Sequence, residues 1–227
     1  MPLFSRRIAY DRRRLVEQAD GLREGLRWRR ALKLYRQVLA AEPRNAEIHF
    51  RVAPLLARRG RPFDAWQSFQ SAAAGLNGDE TSRIALYHQA VQALPLSFEA
   101  CTALARAELR GGHPDRARRT LVEGSRRLRR RRRRSEAIAL LREAREIDAD
   151  CAETALELGR LLARDGRAAE ALFLLDRLDE RAGAADRRRV RALIWRIEPS
   201  LRHSWRWLRA RREAGDPIPS RRIRRAS

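Results

Sequence analysis

Eight arginines crowd the nine positions from Arg126 to Arg134, interrupted only by Leu128. A guanidinium is a planar fork of donors that matches phosphate and carboxylate oxygens. Arg126, Arg127, Arg129, Arg130, Arg131, Arg132, Arg133 and Arg134 therefore form a candidate polyanion-binding stripe. Phosphate contacts of this kind give affinity and salt dependence but little sequence specificity. The competing reading is a solvated junction between two helices, where such dense like charge costs helix stability unless acidic side chains or a polyanion neutralise it. Near the C-terminus, Trp205, Arg206, Trp207, Arg209, Arg211 and Arg212 interleave aromatics with cations, as stacking platforms for single-stranded nucleic acid do. Leu201, Trp205 and Leu208 share one helical face, which is ordinary packing against the preceding helix. That leaves Trp207 as the contact residue of this set.

A third pattern pairs glutamate with arginine along three helical segments. Glu47, Glu99 and Glu153 begin them, Arg58, Arg110 and Arg164 end them, and Arg106 and Arg160 lie one turn earlier. Acid at a helix start and base at its end complement the helix dipole. That explanation suffices for the terminal arginines and serves less well for Arg106 and Arg160.

No reaction centre accompanies these cations. The sequence has no Gly-rich phosphate loop, no paired-histidine helix motif and no Cys-x-x-Cys. His49, His88, His113 and His203 are scattered over different segments, and serines lack a nucleophile-elbow context. The expectation is a non-enzymatic protein without cofactor or metal. Cys101 and Cys151 are too few for a disulfide framework and read as small buried apolar residues in a reducing cytoplasm. No uncharged apolar run is long enough to span a bilayer, and no apolar stretch follows the charges at the N-terminus as in a secretory signal. The net charge is +22, with Lys33 the only lysine. Abundant alanine and arginine are expected of a GC-rich bacterial genome, so composition alone accounts for much of the arginine. The resulting positive potential still attracts polyanions.

The elements that carry these residues repeat. Segments beginning at Ala46, Phe98 and Ala152 each place a small residue midway along a first helix (Ala53, Ala105, Gly159) and then a turn glycine (Gly60, Gly112, Gly166). An alanine follows early in a second helix (Ala65, Ala117, Ala171), and one turn later a large apolar residue (Phe69, Leu121, Leu175). The small side chain lets the facing helix approach, the large one fills the adjacent hole, and glycine permits the turn. These motifs resemble the tetratricopeptide repeat, a helix–turn–helix unit of about 34 residues. The third segment matches best, with Leu158, Gly159, Leu162, Gly166, Ala171 and Leu175 in register.

The turn glycines recur at a longer interval, about 52 residues, which leaves room for a third helix per unit at Asp79–Leu94, Ser135–Ile147 and Asp186–Ile197. The expected fold is all-α, a right-handed α-solenoid of tetratricopeptide-like hairpins in three-helix units. Its parts are a flexible start at 1–8, a helical pair over 9–45 (helices near Arg7–Asp20 and Gly25–Ala41), and units at 46–97, 98–151 and 152–200. A capping helix follows at 201–213, then a disordered basic tail at 214–227. Asn45, Asp79, Ser97, Ser135 and Asp150 stand where N-caps belong. Pro62 and Pro114 fall at first helical turns, whereas Pro54 falls inside a helix and predicts a kink or a later start.

In tetratricopeptide arrays the first helices line a concave groove whose basic residues commonly hold acidic peptides or carboxylates. The resemblance thus implies a groove ladder of Arg58, Arg106, Arg110, Arg160 and Arg164, with Phe50, Leu109 and Leu156 as apolar neighbours. The leading expectation is a cytoplasmic adaptor for an acidic protein partner. The alternative is a binder of nucleic acid or an anionic membrane surface through Arg126–Arg134 and the basic tail.

Overall fold

Helices begin here where local chemistry satisfies their first unbonded N–H groups. The structure is a computed structural model that describes residues 11–76 and 78–213, and within them lie twelve α-helices and no strand. Asp11, Asn45, Asp79 and Ser97 each accept a side-chain hydrogen bond from the N–H three residues on. They cap α1 (Arg12–Glu24), α3 (Ala46–Arg58), α5 (Glu80–Ala93) and α6 (Phe98–Arg110). Pro62 and Pro114 open α4 (Pro62–Ala74) and α7 (Pro114–Arg130), where a missing N–H costs nothing. The other helices are α2 (Trp28–Ala41), α8 (Arg134–Ile147), α9 (Ala152–Arg164), α10 (Ala168–Arg181), α11 (Ala184–Ile197) and α12 (Leu201–Glu213). The expected flexible start and the basic tail lie outside the described residues.

Several expected boundaries move. Helix α8 starts one residue before the expected cap Ser135; Arg133 occupies the cap position without a side-chain bond. The preceding turn fixes that start, because Arg133 N–H is already bonded to Leu128 O at 3.1 Å. Asp150 sits one position too early to cap α9, whose cap is Cys151, and faces Arg181 at 3.3 Å instead. The first two helices begin later than expected, since Asp11 caps α1 and Gly25 ends it. Helix α3 starts at Ala46 and passes through Pro54, so the later start does not occur.

The chain forms two compact units that divide after Gly112. In the first, α1 packs on α2, α3 on α4 and α5 on α6, and contacts of α2 with α3, α3 with α5 and α4 with α5 join the pairs. In the second, α7 packs on α8, α9 on α10 and α11 on α12, joined by α8 with α9, α9 with α11 and α10 with α11. The pairs begin at Arg12, Ala46, Glu80, Pro114, Ala152 and Ala184, at intervals of 34, 34, 34, 38 and 32 residues, so the repeating unit is a two-helix hairpin and not the expected three-helix unit. Helices α3 and α9 are first helices of their pairs, while α6, which the glycine spacing makes their equivalent, is the second of its pair.

The repeated core positions behave alike. Ala65, Ala117 and Ala171 are fully buried, as are Phe69 and Leu175, with Leu121 nearly so. A Cβ added to Gly159 would stand 3.2 Å from three side-chain atoms of Leu175, so glycine is what lets α9 and α10 close up. Turns between helices share one backbone form. Their middle residue is left-handed at Gly60 (φ 71°) and Gly166 (φ 82°), and also at Leu26 (φ 57°) and Arg132 (φ 62°). In each, the next N–H bonds back to the preceding helix, as Arg61 to Leu56 O, Arg167 to Leu162 O, Arg27 to Leu22 O and Arg133 to Leu128 O.

One clasp ties the first three helices. The buried Tyr35 hydroxyl of α2 donates to Asp20 Oδ1 of α1 at 2.5 Å, and Arg51 of α3 pairs with the other oxygen of Asp20. Burial first, then the Asp20 carboxylate, push the Tyr35 phenol above its ordinary pKa. At the end of α4, a Cβ on Gly75 would overlap Cβ of Ala46, the first residue of α3. Both atoms belong to short rigid side chains, so only backbone movement relieves the overlap. Gly75→Ala is expected to destabilise the chain by roughly 1–3 kcal/mol, read by urea unfolding followed by circular dichroism.

Candidate functional site

Helices α4, α5 and α6 enclose a cleft of about 370 Å³ in the first unit. Its walls are aromatic: Trp66 from α4, Tyr87 from α5 and Phe98 from α6. The Trp66 and Tyr87 ring centroids are 6.0 Å apart and tilted by 35°, a favourable aromatic geometry. Thr102, on the inner face of α6, is 5% exposed, and its hydroxyl oxygen is buried without a hydrogen-bond partner. Arg106 and Arg110 stand at the exposed end of α6. Arg110 Nε is 3.1 Å from Glu80 Oε1, which orients its guanidinium while leaving it half exposed. Glu99 also lines the cleft and accepts a hydrogen bond from the Ser97 hydroxyl at 2.8 Å.

The other expected ladder residues are placed differently. Arg58 lies over the Trp28 ring, 4.6 Å from its centroid, a cation–π contact that joins α3 to α2. Arg160 and Arg164 are exposed on α9 in the second unit. Arg58, Arg160 and Arg164 thus occupy first helices of their pairs, whereas Arg106 and Arg110 occupy a second helix. Among the apolar neighbours, Phe50 and Leu109 are partly exposed, but Leu156 is 4% exposed and belongs to the core. Helix α9 is buried around most of its circumference, so Leu156 is covered as well as Leu158 and Leu162 on a different face.

The arginine run is a helix-to-helix turn: α7 ends at Arg130 and α8 begins at Arg134. Half of it is spoken for internally. Arg126 reaches α9, with Nη2 2.5 Å from Glu157 and 2.6 Å from Glu153. Hydrogen bonds to Glu157 and then Glu153 raise its pKa above the ordinary arginine value. Arg127 pairs with Glu123 at 3.4 Å and Arg133 with Glu136 at 2.5 Å, and Arg134 Nη1 donates to Arg164 O at 3.2 Å. Arg129, Arg130, Arg131 and Arg132 are exposed, and no described carboxylate bonds them.

The C-terminal aromatics reverse the expected roles. Trp207 stacks on Trp195 of α11, with centroids 5.9 Å apart and planes within 12°. Trp205 is 64% exposed and Leu208 is also exposed. Helix α12 turns the Arg206–Trp207–Ala210 side to its neighbours, because Arg206 finds a buried carboxylate there: its Nη2 is 2.8 Å from Asp179 Oδ2. Arg191 Nε bonds both oxygens of the same carboxylate, at 2.9 and 3.0 Å. The side chains of Leu201, Arg211 and Arg212 lie outside the described residues.

His49 contacts Pro43 O, His203 contacts Glu198 O, and His113 is the cap residue of α7. Among the described residues no cluster of His, Cys, Asp and Glu could hold a metal, and no helix is long and apolar enough to cross a membrane. Cys101 is buried as expected, while Cys151 is half-buried and its Sγ accepts from Arg118 Nη1 at 3.2 Å.

Two tetratricopeptide-repeat family models match the sequence, one over residues 16–80 and one over 128–194. No curated protein matches it. Among solved structures the chain is similar to PilF of Pseudomonas aeruginosa, at 16% identity over 88% of this chain and 89% of that one, with a TM-score of 0.40. YrrB, described as a TPR protein with an unusual peptide-binding site, shares 16% identity over 88% and 92% of the two chains, with a TM-score of 0.40. The Rap conjugation gene regulator of plasmid pLS20, solved with the Phr* peptide, shares 14% over 88% and 62%, also at 0.40. The two family matches take in α1–α4 and the stretch from the end of α7 into α11, where the small, glycine, alanine and large positions recur, and the chain belongs to the tetratricopeptide-repeat proteins.

Proposed function

We propose that this chain is a cytoplasmic, non-enzymatic adaptor that holds an acidic peptide segment in the cleft between α4, α5 and α6. Tetratricopeptide repeats serve as protein–protein interaction scaffolds, and the reading adds a chemistry to that role. Trp66, Tyr87 and Phe98 offer a pocket for one apolar or aromatic side chain. The guanidinium groups of Arg106 and Arg110 receive carboxylates beside it. The observation that carries the reading is the aromatic-walled cleft with Arg106 and Arg110 among its lining residues. Free thiols at Cys101 and Cys151 accord with a reducing compartment.

An array of short peptides, each with one aromatic residue among Asp and Glu, tests the reading. The wild-type chain is expected to retain acidic members, and Arg106→Glu to lose them by tenfold or more in affinity. Arg160→Glu with Arg164→Glu is expected to retain them. Equal retention by the wild type and Arg106→Glu would reject the cleft as the binding site.

A further inference from the structure

We propose that the α7–α8 turn binds the phosphate backbone of nucleic acid, without reading its sequence, through Arg129, Arg130, Arg131 and Arg132. The turn belongs to the second unit and the peptide cleft to the first. The four residues are consecutive, exposed and unbonded to any described carboxylate. On either side of them, arginines of the same run are neutralised: Arg126 by Glu153 and Glu157, Arg127 by Glu123, Arg133 by Glu136. The fold thus compensates the flanks and leaves the tip of the turn strongly positive. Four such charges repel one another, and a polyanion removes that repulsion.

The backbone adds a second observation. Arg132 holds the left-handed conformation (φ 62°) that Gly60 and Gly166 hold in the equivalent turns. A side chain with a Cβ is strained there. Leu26 shows that the turn tolerates one, and at Arg132 the side chain that carries the strain also carries a charge. Strain kept at a residue that contributes only to an uncompensated charge cluster is of the kind found at functional sites.

The surroundings select nucleic acid over an anionic membrane. From 126 to 136 the one apolar residue, Leu128, is 1% exposed. Nothing apolar is available to enter a bilayer, and a basic patch alone is half of the pair of signals that stable membrane anchoring takes. The same stretch has no aromatic on which a base could stack, so the contacts are to phosphate, through guanidinium forks.

The test uses the full chain and fluorescence anisotropy with a short mixed-sequence DNA duplex, between about 50 and 200 mM salt. Four phosphate contacts contribute about −3.6 to the log–log salt slope on duplex DNA. The variant with Arg129, Arg130, Arg131 and Arg132 all changed to Gln is expected to bind at least tenfold more weakly, with a slope flatter by about that amount. A charge-matched variant with Arg116, Arg119, Arg196 and Arg202 changed to Gln is expected to stay within threefold of wild type. The single change Arg132→Gly is expected to raise Tm while weakening binding, opposite signs that no general loss of folding produces. Equal weakening in both quadruple variants would overturn the proposal and leave diffuse charge as the cause. So would an unchanged affinity in the first variant, or loss of binding to phosphatidylserine vesicles in that variant with duplex binding intact.

Discussion

Replacing Asp179 with alanine is expected to cost roughly 3–5 kcal/mol of stability, the range for removing one partner of a buried ion pair. Asp179 is 4% exposed and its carboxylate takes hydrogen bonds from Arg191 and Arg206. Arg191 also donates to Arg206 O at 3.2 Å, so the three residues join α10, α11 and α12. Without the carboxylate, the largely covered Arg191 cation has no counter-charge among the groups that now bond it. Arg206 keeps Asp176 at 3.4 Å, which places the effect toward the low end of the range. Because domains are stable by only about 5–15 kcal/mol, a loss of this size is a large share of the whole. Guanidinium unfolding measures it, and fluorescence of the Trp195–Trp207 stack reports whether α12 leaves α11 first. Asp179→Leu combined with Arg191→Met is expected to recover most of the loss, since an apolar replacement of a buried pair is often neutral. A loss below about 1 kcal/mol for Asp179→Ala would show that the cluster is not buried in solution.

The second large effect is expected at Phe69. It is fully buried in α4, at the large position of the repeat. Phe69→Ala removes an aromatic ring and leaves a cavity, with a cost of about 3–5 kcal/mol. Leu175 is the equivalent residue of α10, also fully buried, and Leu175→Ala is expected to cost about 2–5 kcal/mol. Gly159→Ala in the Leu175→Ala background tests the nesting directly. The added methyl has space there that Leu175 denies it in the wild type, where it would stand 3.2 Å from that side chain. The double variant is therefore expected to be more stable than Leu175→Ala alone, while Gly159→Ala by itself destabilises. Additive costs in that cycle would show that Gly159 and Leu175 do not nest.

The arginine run, the arginine ladder and the aromatic cleft differ in how far each was legible in the sequence. The crowding of Arg126–Arg134 is plain there, but which of its members face carboxylates is not. The partners of Arg126 stand 27 and 31 residues away, and only the packing of α7–α8 against α9 brings them within reach. The ladder of Arg58, Arg106, Arg110, Arg160 and Arg164 rests on the spacing of the turn glycines, whereas the structure repeats every two helices, which puts Arg106 and Arg110 on a second helix. The aromatic cleft went unread because Trp66, Tyr87 and Phe98 come from three helices with no shared motif. A signal for it existed in a Trp, a Tyr and a Phe near successive helices of one unit, without a rule to connect them.

Local chemistry is what the sequence determined by itself. Caps at Asn45, Asp79 and Ser97, prolines at the first turns and glycines at left-handed positions act over three or four residues. The alternation of small and large residues marked the α3–α4 and α9–α10 hairpins, whereas its second occurrence falls on α6 and α7, on the two sides of the division after Gly112. The tertiary structure decided which face each helix shows. Helix α12 exposes Trp205 and half-covers Trp207, which stacks on Trp195, although both faces carry apolar residues. The choice follows from Arg206, which must reach the buried Asp179 carboxylate. A single buried charge has one energetically acceptable partner arrangement, and it sets an orientation that apolar patterning alone leaves open.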